Sequence, residues 1–165
     1  MPKTTREPTR AALCAKAVRA ELKANFPTIK FKVTSSNFSM GNSVDVKWTN
    51  GPSSKQVDQV IKKYQYGHFD GMIDCYEHSN TRDDIPQAKF VSGSREFSEE
   101  VLNNCAEVIA KDYGVTLPSD PSQHFDFQGQ WYSRYALVWR HCRDLDFTNK
   151  NSIKSTDNGF ETVNK

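Results

Sequence analysis

Two neighbouring segments alternate apolar and polar residues, and no other feature restricts the chain as tightly. Ile29, Phe31 and Val33 are interleaved with Lys30, Lys32 and Thr34, and Val44, Val46 and Trp48 with Asp45 and Lys47. A period of two puts the apolar members on one face of a strand and the polar members on the other. The connection from Ser35 to Ser43 is polar and contains Gly41-Asn42, which suits an antiparallel hairpin. A ribbon with one apolar face is expected, and a face of that kind has to be covered.

Amphipathic helices supply the cover. Thr9 is placed to cap a first helix, because its hydroxyl can accept from an amide that the first turn leaves unpaired, and Leu13, Cys14, Ala17, Val18 and Leu22 follow as an apolar stripe ending before Pro27. After the turn Thr49-Asn50-Gly51-Pro52, the run from Ser53 to Gln56 has the form of a capping box. Val57, Val60, Ile61 and Tyr64 then recur at helical spacing as far as Gly67. Ser98 caps a third helix, with Phe97 and Leu102 as a hydrophobic staple and Val101, Leu102, Cys105, Val108 and Ile109 as its stripe. Between these helices the pattern is weaker: Phe69–Asp74 reads as a short strand or a turn, Asn80–Pro86 as a polar loop and Ala88–Val91 as a strand. Beyond Pro118 and Pro121, the residues Trp131, Tyr135, Val138, Cys142 and Leu145 recur at steps of three and four. That spacing favours a helix over a strand for residues 131–146.

The predicted fold class is α+β, an antiparallel hairpin or small sheet packed on one face by three to four helices. A length of 165 residues suits one domain. Residues 1–8, with two prolines and no periodicity, read as a flexible leader; 9–147 as the single α+β domain; and 148–165, rich in Asn, Lys, Thr and Ser, as a disordered tail. No apolar run approaches the roughly 20 residues of a membrane helix, and Met1–Glu7 lacks the apolar stretch of a secretory signal. A cytoplasmic protein with no membrane partner is therefore expected, its four widely spaced cysteines held as reduced thiols. The formal net charge of +2 is too small to demand a nucleic acid and of the wrong sign for a DNA mimic.

The succession of an N-terminal helix, Phe26-Pro27-Thr28-Ile29-Lys30-Phe31-Lys32-Val33, Val44-Asp45-Val46-Lys47-Trp48-Thr49-Asn50-Gly51-Pro52, a Val57-containing helix and Phe69-Asp70-Gly71-Met72-Ile73-Asp74 resembles the large polyvalent protein-associated domains, the twenty-ninth of that series. The resemblance covers roughly the first half of the chain. It implies a phage or conjugative element as the setting; with catalytic motifs missing, the expectation is a non-enzymatic accessory or interaction protein whose partner is encoded by the host or the element, with action against a host defence as one such role. It brings no catalytic residues and no cofactor.

Three groups of residues carry alternative chemistry. Lys16, Arg19 and Lys23 lie at helical spacing opposite the apolar stripe, and Lys30, Lys32 and Lys47 project from the polar side of the hairpin, so together they would track the phosphates of DNA or RNA; the plain alternative is a solvated face. Asp70, Asp74 and His78, near His68, Cys75 and Glu77, offer ligands for a divalent metal and hence a metal-dependent hydrolase; the plain alternative is turn capping around Gly71. Trp131, Tyr132 and Trp139 would form a partner surface if not all are core. His141 and Cys142 are neighbours on a helix, about 100° apart, which disfavours a thiol–imidazole pair. The phosphate-loop, dinucleotide, nucleophile-elbow and zinc-protease motifs are all missing, which leaves an enzyme unsupported.

Overall fold

A computed structural model describes residues 7–165 of the chain. The fold is mixed α+β, with helices and small antiparallel sheets. Of the expected leader, only Glu7 and Pro8 fall within the described residues. The chain forms two compact units where the sequence suggests one domain: the first runs to Trp48 and resumes over Gln56–Ser94, and the second takes Thr49–Lys55 and Arg95–Lys165.

In the first unit, α1 (Arg10–Asn25) starts where Thr9 Oγ1 accepts from the Ala12 amide at 3.3 Å. It buries Ala11, Cys14, Ala15, Val18 and Leu22. The stripe is thus rotated from the expected one: Leu13 is 44% exposed, and Ala11 and Ala15 are buried instead. β1 (Lys32–Phe38) and β2 (Gly41–Thr49) pair antiparallel, with Val33 opposite Val46, Lys32 opposite Lys47 and Phe38 opposite Gly41. The strands therefore run well into the segment expected as a connection, and only Ser39 and Met40 separate them. Ile29 and Phe31 precede β1 and pack against the core, the Phe31 ring lying 5.8 Å from that of Trp48. β5 (Phe90–Glu96) lies beside β2 and completes a sheet of order β1-β2-β5. Val33, Val44, Val46 and Trp48 share one core with Cys14, Val18 and Leu22 of α1, Val57 and Ile61 of α2 (Ser54–Ile61) and Tyr64 of the following 3-10 turn, Lys62–Tyr64.

The stretch left as strand or turn is both. β3 (His68–Asp70) and β4 (Cys75–Glu77) pair antiparallel around a turn at Gly71. Gly67 is required here, since a Cβ on it would come within 1.9 Å of the Glu77 carbonyl oxygen. The polar loop before β5 is held by the buried Gln87. Its Nε2 donates to the carbonyls of Lys63 at 2.7 Å and Asn80 at 2.8 Å, and its Oε1 accepts from the Arg82 amide at 2.7 Å. A buried amide so satisfied stabilises a loop that has no apolar pattern.

In the second unit, α3 (Glu99–Tyr113) is capped by Ser98 and ended by Gly114 in the left-handed conformation at φ 67°. Two expectations fail there. The helix predicted from Trp131 begins later, as α4 (Arg134–Cys142) capped by Ser133. Gln128 and Gly129 both take positive φ and fold β6 (Phe125–Phe127) against β7 (Gln130–Tyr132), so Trp131 sits in a hairpin opposite Asp126. The segment read as a disordered tail contains a second hairpin, β8 (Ser152–Thr156) with β9 (Gly159–Val163). Ile153 is buried in the cluster formed by Phe97, Val101, Leu137 and Phe147, and Phe160 packs against it. Two apolar side chains suffice to dock this hairpin, but they are too few to produce a visible period.

Arg95 organises the same unit. Its guanidinium is buried and donates to four carbonyls: Asn50 at 2.9 Å, Gly51 at 2.8 Å, Leu145 at 2.9 Å and Arg143 at 3.2 Å. The rings of Phe97 and Phe147 lie 4.8 and 5.5 Å from its central carbon. Burial draws its pKa down to about 10, still well above neutral. The planar fork thus links the turn at residues 50–51 to the segment after α4, which a point-charged lysine has no geometry to do. Replacing it removes a donor from the part-buried carbonyls of Asn50, Arg143 and Leu145, while the Gly51 carbonyl keeps the Phe147 amide at 2.7 Å. Arg95→Met is expected to lower stability by about 1–3 kcal/mol in urea unfolding, with Arg95→Lys recovering only part of it; an unchanged unfolding midpoint would show that the fork is dispensable.

Candidate nucleic-acid interface

The six basic residues singled out in the sequence all fall in the first unit, on α1 and around β1 and β2. Lys16, Arg19 and Lys23 occupy the exposed side of α1. Arg19 Nη2 donates to the Val33 carbonyl at 2.8 Å. That contact covers part of the open edge of β1 and leaves most of the guanidinium's five N–H donors for other partners. Arg19, Lys23 and Lys30 line one shallow groove of about 240 Å³, together with Pro27, Ile29 and Phe31. Half of the predicted set thus converges on a single concavity, while Lys16 lies elsewhere on α1.

Lys32 and Lys47 form the other part of the set. They are exposed and directly opposite each other across the β1–β2 ladder. Like charges in that arrangement oppose folding. On the same face, Asp45 accepts from Ser43 Oγ at 3.3 Å and Ser92 Oγ at 2.8 Å. The opposed lysines therefore concentrate positive charge at one end of the sheet.

A model of large polyvalent protein associated domain 29 matches residues 9–101, more than half of the chain. The chain belongs to that family. No curated protein and no solved structure matches it. The stretch matched to large polyvalent protein associated domain 29 contains every residue of the basic set and also Asp70, Asp74 and His78; Trp131, Tyr132 and Trp139 lie outside it.

Asp70, Asp74 and His78 are not brought together. Asp70 Oδ1 accepts from the Met72 amide at 2.8 Å, the turn-capping role. Asp74 is in the turn at φ 51°, and His78 stacks on Tyr66 with centroids 5.0 Å apart. Among the described residues no three His, Cys, Asp or Glu side chains are grouped to hold a metal. The β3–β4 hairpin brings together a different pair of the stretch: His68 stands opposite Glu77, with Nε2 3.7 Å from its carboxylate. His141 and Cys142 likewise stay apart in function: His141 Nδ1 lies 2.9 Å from the Leu137 carbonyl, and the buried Cys142 thiol is pushed far up by a hydrogen bond with Cys105 and by burial.

The aromatic set divides. Trp131 is 71% exposed in the middle of β7. Tyr132 is half-buried, its hydroxyl engaged by Gln130 and Arg140. Trp139 packs edge-on to Phe97 at 5.5 Å and is stacked by Tyr135 at 6.3 Å. Among the described residues no helix is long and apolar enough to cross a membrane.

Sequence reasoning passed over Phe38 and Phe90. Their rings stack with centroids 6.3 Å apart and are 47% and 38% exposed. The signal was present: extended at a period of two, the polar register Lys32, Thr34, Ser36 ends in Phe38. A phenylalanine on the outward register of a strand is the anomaly that marks the position. A second cavity, about 500 Å³, is lined by Gln59, Lys62, Lys63, Gln65, His68 and Asn80. Lys63 there is already held by Glu21 at 2.6 Å. Burial would raise the Glu21 carboxyl, but hydrogen bonds from Lys63 and Tyr64 outweigh it and hold the group below its ordinary range.

Proposed function

We propose that the chain is a non-enzymatic accessory protein of a phage or conjugative element that acts by binding, and that its first unit binds nucleic acid. Family membership supports the setting. One observation carries the binding reading: Lys32 stands directly opposite Lys47 on an exposed face, an arrangement that costs stability unless an anion occupies it. The groove lined by Arg19, Lys23 and Lys30 gathers a second set of basic side chains on α1 and the chain leading into β1. Flexible ammonium groups on an open surface suit a phosphate backbone, whose contacts give affinity without sequence preference.

Replacing either lysine separates the two roles. Lys32→Thr and Lys47→Thr are each expected to raise stability by about 0.2–1 kcal/mol in thermal or urea unfolding while weakening oligonucleotide binding by fluorescence anisotropy. Binding by the unaltered chain should fall steeply between about 50 and 200 mM salt. Failure to associate with any single- or double-stranded DNA or RNA at low salt would refute the reading.

A second reading is favoured by Trp131, an aromatic side chain 71% exposed, with Tyr135 nearby in sequence at 42%. A large ring so exposed suits a protein partner, encoded by the host or by the element, and a counter-defence role would act through such a contact. Trp131→Ser leaves the core untouched. Affinity capture from a host lysate should then lose any stoichiometric protein retained by the unaltered chain; capture of the same protein by both would dismiss the Trp131 surface.

A further inference from the structure

The outward face of the β1-β2-β5 sheet is polar at its centre and different at its two ends. Residues two apart share a face of a strand, so Lys32, Thr34, Ser36 and Phe38 project together from β1. Opposite them on β2 stand Lys47, Asp45, Ser43 and Gly41. The hydrogen bond from Ser92 to Asp45 and the stacking of Phe90 on Phe38 bring β5 onto the same face. The lysine pair therefore marks one end and the paired rings the other, about 20 Å apart along β1 at the usual rise per residue. Only small hydroxyl side chains and Asp45 lie between them.

We propose that this face binds single-stranded nucleic acid, with Phe38 and Phe90 as base-stacking positions and Lys32 and Lys47 on the backbone phosphates; the inference rests on the nucleic-acid reading above and specifies its strand and its aromatic contacts. Three features support it. The rings are held in place: Tyr76 packs edge-on to Phe90 at 5.7 Å, and its hydroxyl donates to the Lys89 carbonyl at 2.5 Å. A cation accompanies them, since Lys89 Nζ lies 4.9 Å from the Tyr76 centroid and 5.6 Å from that of Phe90, anchored by donation to the Met40 carbonyl at 2.9 Å. Finally, the middle of the face has no bulky side chain to obstruct a flat base. Asp45 is engaged by two serine hydroxyls, and its charge directs phosphates to the lysine end.

The chemistry selects among polyanions. Phenylalanine rings stack on bases only when the bases are unpaired and turned outward, as in single strands, whereas a duplex presents phosphates and groove edges. A mixed face of lysines, hydroxyls, the carboxylates of Asp45 and Glu96 and two rings is also poor in the continuous apolar area that a protein partner would bury.

The test uses the full chain and labelled probes of one length: oligo-dT, a mixed-sequence RNA single strand, and a DNA duplex. Fluorescence anisotropy at low salt should show single strands bound at least about tenfold more tightly than the duplex. Phe38→Ala with Phe90→Ala should weaken single-strand binding about 10- to 100-fold, by analogy with stacking rings elsewhere, and leave duplex binding unchanged. Phe90→Leu retains apolar bulk and removes the aromatic face, so its loss of affinity with an unaltered circular dichroism spectrum separates stacking from misfolding. Unchanged single-strand affinity in both variants overturns the stacking assignment while leaving phosphate binding intact. If the unaltered chain binds none of the probes, both the inference and the reading beneath it fail.

Discussion

The register of β1 against β2 is the constraint on which the first unit depends. With Val33 opposite Val46, all of Val33, Val44, Val46 and Trp48 enter the core, and Lys32 and Lys47 emerge together on the other face. A slip of one residue would exchange the two faces. Each large apolar side chain buried contributes about 1.5–3 kcal/mol, so four of them outweigh the smaller repulsion between the opposed lysines. The same register that builds the core therefore imposes the charge cluster, and the candidate site is inseparable from the packing beneath it.

Local rules were legible where a single residue carries them. Thr9 and Ser98 cap helices as their hydroxyls predict, and Val57 and Ile61 face inward at the spacing that marked them. Illegible parts depend on contacts far apart in the chain. Nothing near Gln87 or Arg95 announces that each will satisfy several backbone groups from other segments. The Ile153 hairpin is hidden for a related reason: it contributes one buried apolar residue and borrows the rest of its core. The apolar block from Trp131 was misread at its start because a 3-and-4 spacing is satisfied equally by a strand residue followed, after a serine cap, by a helix.

The candidate site divides along the same line. Charge was readable, since lysines on a polar register have nowhere to go but outward. The pairing of Phe38 with Phe90 was not, because it joins residues from strands that are 52 positions apart only once β5 is placed beside β2. The acidic and histidine stretch shows the converse: Asp70 caps the turn, His78 stacks on Tyr66, and it is His68 and Glu77 that meet across the hairpin. Membership of the large polyvalent protein associated domain 29 family covers the basic sheet and the first two helices, so the surface advanced for binding belongs to the family domain, whereas Trp131 belongs to what this chain carries beyond it.

Lysine footprinting by amine acetylation and mass spectrometry tests this account most directly, because it reports both which face the lysines occupy and what covers it. Lys32 and Lys47 should both be modified in the free chain and protected together by a single-stranded oligonucleotide, while Lys111 and Lys154 in the second unit stay reactive. Unreactive Lys32 and Lys47 in the free chain, or protection confined to the second unit, would contradict it.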